Sequence, residues 1–125
     1  MSTIKADTIQ NTSGGAVTLT QQSAAKFWAN YNGTGTPAVR DSFNLSSITD
    51  NGTGDNTVNL SNSMSNSNYS TSGSGAEQDN NTGYYVRMLS PITRASGTYR
   101  FFCSHTNASK ADFQYVAPQI HGDLA

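Results

Sequence analysis

Ser42-Phe43-Asn44-Leu45-Ser46-Ser47-Ile48-Thr49 and Asn56-Thr57-Val58-Asn59-Leu60-Ser61 flank Asp50-Asn51-Gly52-Thr53-Gly54-Asp55. Apolar residues alternate with polar ones in both runs, at Phe43/Leu45 and Val58/Leu60, so each has the period of a half-buried strand. The six residues between them tolerate the positive φ that a tight reversal demands. The stretch reads as a β-hairpin and sets an all-β expectation for the chain.

Working outward, Phe27-Trp28-Ala29-Asn30-Tyr31 alternates large rings with small or polar groups. Phe27, Ala29 and Tyr31 share one face of a strand, and Trp28 and Asn30 share the other. Asn32-Gly33-Thr34-Gly35-Thr36-Pro37 is a turn or loop. Residues 62–81 are dominated by Ser, Asn and Gly, with Met64 and Tyr69 as anchors. A strand is expected near Tyr69-Ser70-Thr71-Ser72, followed by a mobile loop over 73–82. Three further strands are expected at 84–89, 98–104 and 112–117, separated by Pro91 and Gly97 and by residues 107–110. The tail from Pro118 continues extended, to complete a sheet edge or meet a neighbour. Short strands at this spacing predict an antiparallel β-sandwich, jelly-roll-like, over residues 25–125.

The composition supports a folded all-β chain. Of 125 residues only 12% are charged, against about 25% in ordinary soluble domains. Ser, Thr, Asn, Gln and Gly fill about half the chain. Disorder would bring high net charge and few aromatics, whereas the net charge here is −1 with six Tyr, five Phe and one Trp. Near-neutral charge excludes a basic nucleic-acid groove. No run approaches the roughly 20 apolar residues of a membrane helix. The start lacks a basic segment followed by an apolar one, so no signal peptide is expected and synthesis is placed in a cytoplasm. Asn-x-Ser/Thr triplets recur at Asn11, Asn32, Asn44, Asn51, Asn59, Asn68, Asn80 and Asn107. Such triplets are expected by chance in a chain so rich in these residues.

The first 24 residues read differently. Two short β segments break at Gly14-Gly15, with no bulky side chain to close a core. An isolated two-stranded piece is marginal in water. This arm therefore needs partners, and Ile4, Ile9, Val17 and Leu19 are its candidate buried contacts. Residues 21–26 are helix-tolerant and predict a single turn acting as a hinge.

The opening Ser-Thr-Ile-Lys-Ala-Asp-Thr-Ile-Gln-Asn-Thr-Ser-Gly-Gly, the Ser23-Ala24-Ala25-Lys26-Phe27-Trp28 step and the hairpin from Asp41 to Asp55 together resemble small virion structural proteins of marine tailed phages, commonly labelled tail fibre-like. The resemblance covers most of the chain, and the hairpin is its most specific part. It implies a particle component without enzymatic activity, and it carries over no functional residues.

Candidate chemistry in the residues themselves is sparse. The acids cluster at turns, where Asp caps backbone amides. Asp50 and Asp55 straddle the hairpin turn, but a glycosidase would need them held across a cleft. His105 and His121 come with no nucleophile-elbow sequence and no second ligand at short spacing. The 50–55 loop lacks the spacing and terminal Glu of a calcium loop. No metal or cofactor is expected, and no catalytic residue is assigned. Cys103, the single cysteine, reads as a small buried apolar residue. Trp28, Tyr69 and Tyr84 are candidate contacts for a host surface glycan, with core packing the simpler account of Trp28 and Tyr84 and the two accounts balanced for Tyr69 in its polar surroundings.

These readings converge on an assembly protein: a homotrimeric fibre or appendage component held to other virion proteins, of tail, neck or capsid, by its N-terminal arm. Threefold closure would pair strand edges that otherwise invite aggregation. A capsid decoration protein and a host-glycan-binding module are the alternative classes.

Overall fold

The computed structural model describes residues 12–13, 24–76, 87–105 and 109–125, with only the backbone described at 87–90. Residues 1–11 and 14–23, which include Ile4, Ile9, Val17 and Leu19, lie outside it, as does Tyr84. Eight strands are described: β1 (Phe27–Asn32), β2 (Ala38–Phe43), β3 (Leu45–Asp50), β4 (Asp55–Leu60), β5 (Ser70–Ala76), β6 (Arg87–Arg94), β7 (Thr98–Cys103) and β8 (Tyr115–His121). All their pairings are antiparallel, in the order β2-β1-β8-β5-β6-β7-β4-β3.

That order is one hydrogen-bonded ribbon folded into two four-stranded sheets. Strand β6 makes the crossing: Arg87 and Met88 pair with β5, while Leu89 to Arg94 pair with β7. Strands that bend or bulge between sheets are the usual corners of sandwiches. The strand order departs from the expected jelly roll, whose two Greek keys carry successive strands across to the opposite sheet. Here β1–β2, β3–β4, β5–β6 and β6–β7 are sequence neighbours paired side by side.

The inner faces follow the period-2 patterns. Phe27, Ala29 and Tyr31 of β1 and Val116, Pro118 and Ile120 of β8 line one sheet. Val58 and Leu60 of β4 and Tyr99, Phe101 and Cys103 of β7 line the other. Met64, Tyr69 and Phe113 close the ends, and the whole forms one apolar cluster. Tyr99 and Phe101 rings stack tilted at 5.1 Å.

The hairpin is present, as β3 paired to β4. Its first strand begins at Leu45, three residues after Ser42, because Asn44 adopts φ 60° and ends β2. Phe43 therefore belongs to the other sheet. At this corner the Asn44 carboxamide donates to the carbonyls of Lys26 and Asn62, each at 3.0 Å. Its Oδ1 accepts from the Asn62 N–H at 2.7 Å, and its main-chain carbonyl accepts from Ser61 N–H at 3.1 Å.

Three other expectations shift. Strand β6 runs through Pro91, where its register with β7 slips by one residue at Ile92. A proline is tolerated at such a bulge, and among the described residues β6 pairs with β5 only at Arg87 and Met88, so no β5 carbonyl there misses the N–H. The stretch 73–76 belongs to β5 rather than to a loop. Residues 118–121 form part of β8, a central strand between β1 and β5, and not a sheet edge.

Two predictions follow from the packing. Asn44→Gly keeps the positive φ and loses the side-chain bonds, and should cost about 1–3 kcal/mol; Asn44→Ala should cost about 1 kcal/mol more for the left-handed backbone. Equal urea midpoints for the two variants would show that the backbone conformation at Asn44 carries no strain. The Tyr31 hydroxyl is buried with no hydrogen-bond partner among the described residues. Tyr31→Phe should accordingly be neutral or up to about 1 kcal/mol more stable in the same measurement, and a clear loss of stability would contradict that.

Candidate functional site

The hairpin turn is built by local chemistry. Asp50 Oδ1 accepts the Gly52 N–H at 2.8 Å, and the turn closes through Asn51 N–H to Asp55 O and Asp55 N–H to Gly52 O. Gly52 and Gly54 both have positive φ. Gly54 has a second reason to be glycine: a Cβ there would lie 2.7 Å from Cys103 O and from Ala111 N and O. Its N–H donates to Asp112 Oδ1 at 2.6 Å and its carbonyl accepts from Cys103 N–H at 2.7 Å. The turn is thus latched to the end of β7 and the segment before β8.

Asp55 sits beneath this latch, 5% exposed. Arg100 grips it through Nε at 2.9 Å and a terminal nitrogen at 3.1 Å, and Lys110 Nζ lies 2.8 Å from Oδ2. Hydrogen bonding from Arg100, with help from Lys110, outweighs burial and lowers the carboxyl to about 2. Both oxygens are committed to these cations, and the Lys110 ammonium also lies 5.3 Å from the Phe102 ring centroid. The arrangement is a structural ion cluster. Among the described residues no three His, Cys, Asp or Glu side chains converge as metal ligands. Cys103 is fully buried, and burial, with the nearby Asp112 charge, pushes its thiol up to about 12, far from a nucleophile. His105 packs edge-on against Phe113.

The aromatic candidates separate. Tyr69 is buried, and its hydroxyl donates into the carbonyls of Ala95 and Thr98, both at 3.1 Å. It braces the β6–β7 turn and presents no ring face to solvent. Its rim joins Ser65, Asn66, Asn68, Gly122 and Asp123 around a small polar recess of about 140 Å³. Trp28 is half-buried on the outer face of its sheet, directly across from Phe43 on β2 and beside Gln119 on β8.

Among the described residues the most exposed apolar side chains lie on β2, an outermost strand with no described strand beyond it. Val39 is 47% exposed and Phe43 46%, two of the three exposed large hydrophobics among the described residues. The register of β2 with β1 slips at Arg40, so Val39 lies opposite the inward-facing Tyr31 while Phe43 lies opposite the outward-facing Trp28. One apolar side chain therefore sits on each face of the same edge strand. Arg40, the charge that would ordinarily guard such an edge, is folded back over the sheet. Its guanidinium donates to Asn30 Oδ1 at 3.2 Å and Gln114 O at 2.8 Å and lies 4.3 Å from the Tyr115 ring centroid. The opposite edge, β3, exposes Ser46, Ser47, Thr49 and Asp50 and bulges between Leu45 and Ser47. Asn59 reaches across it to Ser47 and Thr49.

Comparison with known proteins gives no match to any family model, curated protein or solved structure.

The β2 edge is absent from the sequence reading because Ala38-Val39-Arg40-Asp41 shows no alternation once a bulge interrupts it. The one available signal was Asn44, a residue that tolerates left-handed backbone, between two apolar residues. The Asp55 cluster had no local signal, since its partners lie 45 and 55 positions away.

The lowered Asp55 carboxyl has a definite consequence for stability. Its folded value lies below its unfolded value of about 3.9, so the stabilisation is complete above that pH and is lost as pH falls toward about 2. With partners that are nearly half exposed, about 1–2 kcal/mol is expected from Asp55. Asp55→Asn should be less stable at pH 6, and the gap between the two proteins should narrow between pH 4 and 2 in chemical denaturation. A gap independent of pH across that window would assign the effect to packing.

Proposed function

We propose that this chain is a virion structural protein, a homotrimeric fibre or appendage component anchored to other virion proteins by its N-terminal arm over residues 1–24. The carrying observation is the β2 edge, where two large apolar side chains stand on an open strand with the nearby arginine turned away. Exposed edges of this kind associate unless they are covered, and a stable protein that keeps one has a partner for it. The resemblance of the hairpin residues to phage virion proteins supports the same reading. No reaction is assigned to the chain, and its place of action is the particle, after synthesis in the host cytoplasm.

A second reading is favoured by one feature. Trp28 and Phe43 form an outward cross-strand aromatic pair bordered by Asn30, Asp41 and Gln119, a surface suited to stacking on a sugar ring and hydrogen-bonding its hydroxyls. Binding of a host glycan there is compatible with a fibre and would add host recognition to assembly.

The purified chain should sediment with three times the 13.3 kDa of one copy. Deleting residues 2–20 should leave a cooperatively unfolding β protein of single-chain mass that does not join particles. Normal assembly of the truncated protein would remove the arm from this role.

A further inference from the structure

The assembly reading leaves open what the arm docks against, and β2 supplies a specific answer. We propose that residues 3–9 of one copy add as a strand to the open edge of β2 in a neighbouring copy, covering Val39 and Phe43. The inference rests on the arm-mediated trimer proposed above and identifies its acceptor surface.

Three observations select this occupant. First, the acceptor needs an added strand with an apolar residue on each face, because Val39 and Phe43 lie on opposite faces of the edge. Side chains alternate along a strand, so two residues an odd number apart fall on opposite faces. Ile4 and Ile9 are five apart and meet this requirement; Val17 and Leu19 are two apart and share a face. Directly opposite and diagonal neighbours both lie within reach across strands, so the spacing need not match residue for residue.

Second, the chain enters β1 pinned in line with the sheet. Lys26 N–H donates to Ile120 O of β8 at 2.8 Å, and the Lys26 carbonyl accepts from Asn44. The 17 residues between Ile9 and Phe27 can span up to roughly 55–60 Å when extended, ample to reach another copy. Third, strand addition suits this edge chemically. Main-chain hydrogen bonds supply affinity and alternate side chains supply specificity. Each copy would donate an arm to the next and accept one from the previous, a head-to-tail contact that closes into a ring of three.

Paired cysteines in the full chain test the contact, since Cys103 is fully buried and takes no part in surface oxidation. Two variants, Ile4→Cys/Phe43→Cys and Ile9→Cys/Phe43→Cys, are oxidised mildly and run on non-reducing gels beside sedimentation of the unmodified protein. At least one should yield covalent dimers and trimers that collapse to a single chain on reduction. Val39→Lys/Phe43→Lys, confined to exposed positions, should drop to single-chain mass while unfolding cooperatively. A trimer that gives no cross-link with either pair and survives the double-lysine change overturns the docking site but leaves the arm-mediated trimer standing. A cross-link confined to one chain overturns donation between copies. A single-chain mass for the unmodified protein at every concentration sinks both readings.

Discussion

One asparagine closes the architecture. The eight-stranded ribbon has two ends, β2 and β3, and these are consecutive in sequence with only Asn44 between them. To carry the chain from one sheet to the other in a single residue, the backbone must turn sharply, and φ 60° provides the turn. Asparagine accepts this conformation at less cost than most residues, and its carboxamide does further service. It binds the carbonyl entering β1 and both the N–H and carbonyl of Asn62 just beyond β4. The start of one sheet and the end of a strand in the other are therefore fixed relative to each other by a single side chain. That corner, together with β6 where it passes from one sheet to the other, holds the inner faces of Phe27, Tyr31, Val58 and Tyr99 against each other.

The same economy explains how so polar a chain can fold. Apolar residues are few, but most of the large ones in the described region are buried, and Ser, Thr and Asn make up much of the exposed remainder. Charges are scarce and several are used internally. Asp55 is buried with Arg100 and Lys110, and Asp112 accepts from Gly54. A buried carboxylate left alone would be costly, so the pair of cations is a condition of its burial. The cluster joins β4, β7 and the segment before β8, three pieces far apart in sequence, around a glycine where no side chain fits.

Local pattern carried the strand content well and the connections poorly. Strands β1, β4 and β7 were legible because a strict period of two is unambiguous when one face is aromatic or β-branched. The hairpin was legible because Asn51-Gly52 and Gly54 signal positive φ directly. Strand β2 was not, because its bulge destroys the period that reveals strands, and Phe43 pairs in rhythm with Leu45 although the two lie in different sheets. Pro118 misleads in the same way, since a proline argues against a central strand. It is accommodated where the β1–β8 pairing passes from Gln119 to Val116 over it. Of the candidate site residues, Trp28 was set apart from Phe27, Ala29 and Tyr31 by alternation, but which of the two faces is outward was not legible, and core packing remained the simpler account of it. Tyr69 was harder, because the carbonyls that receive its hydroxyl belong to a turn some 26 and 29 residues later. Long-range partners leave no trace in a single sequence.

The topology also dictates where an exposed edge must remain. A ribbon that folds back on itself could in principle pair its two ends and become a closed barrel, with no edge left. Here the ends diverge, because the left-handed turn at Asn44 sends β2 and β3 into opposite layers within one residue. Among the described strands two are then left outermost, and they are treated unequally. β3 is short of apolar groups, bulged, and cross-linked by Asn59 to its own neighbour, which are ordinary defences against association. β2 carries a bulge too, yet that bulge rotates Val39 and Phe43 onto opposite faces and frees Arg40 to bind Gln114 and stack on Tyr115. A distortion that elsewhere protects a strand here leaves one apolar side chain on each face of it, and the proposed assembly rests on that asymmetry between the two edges.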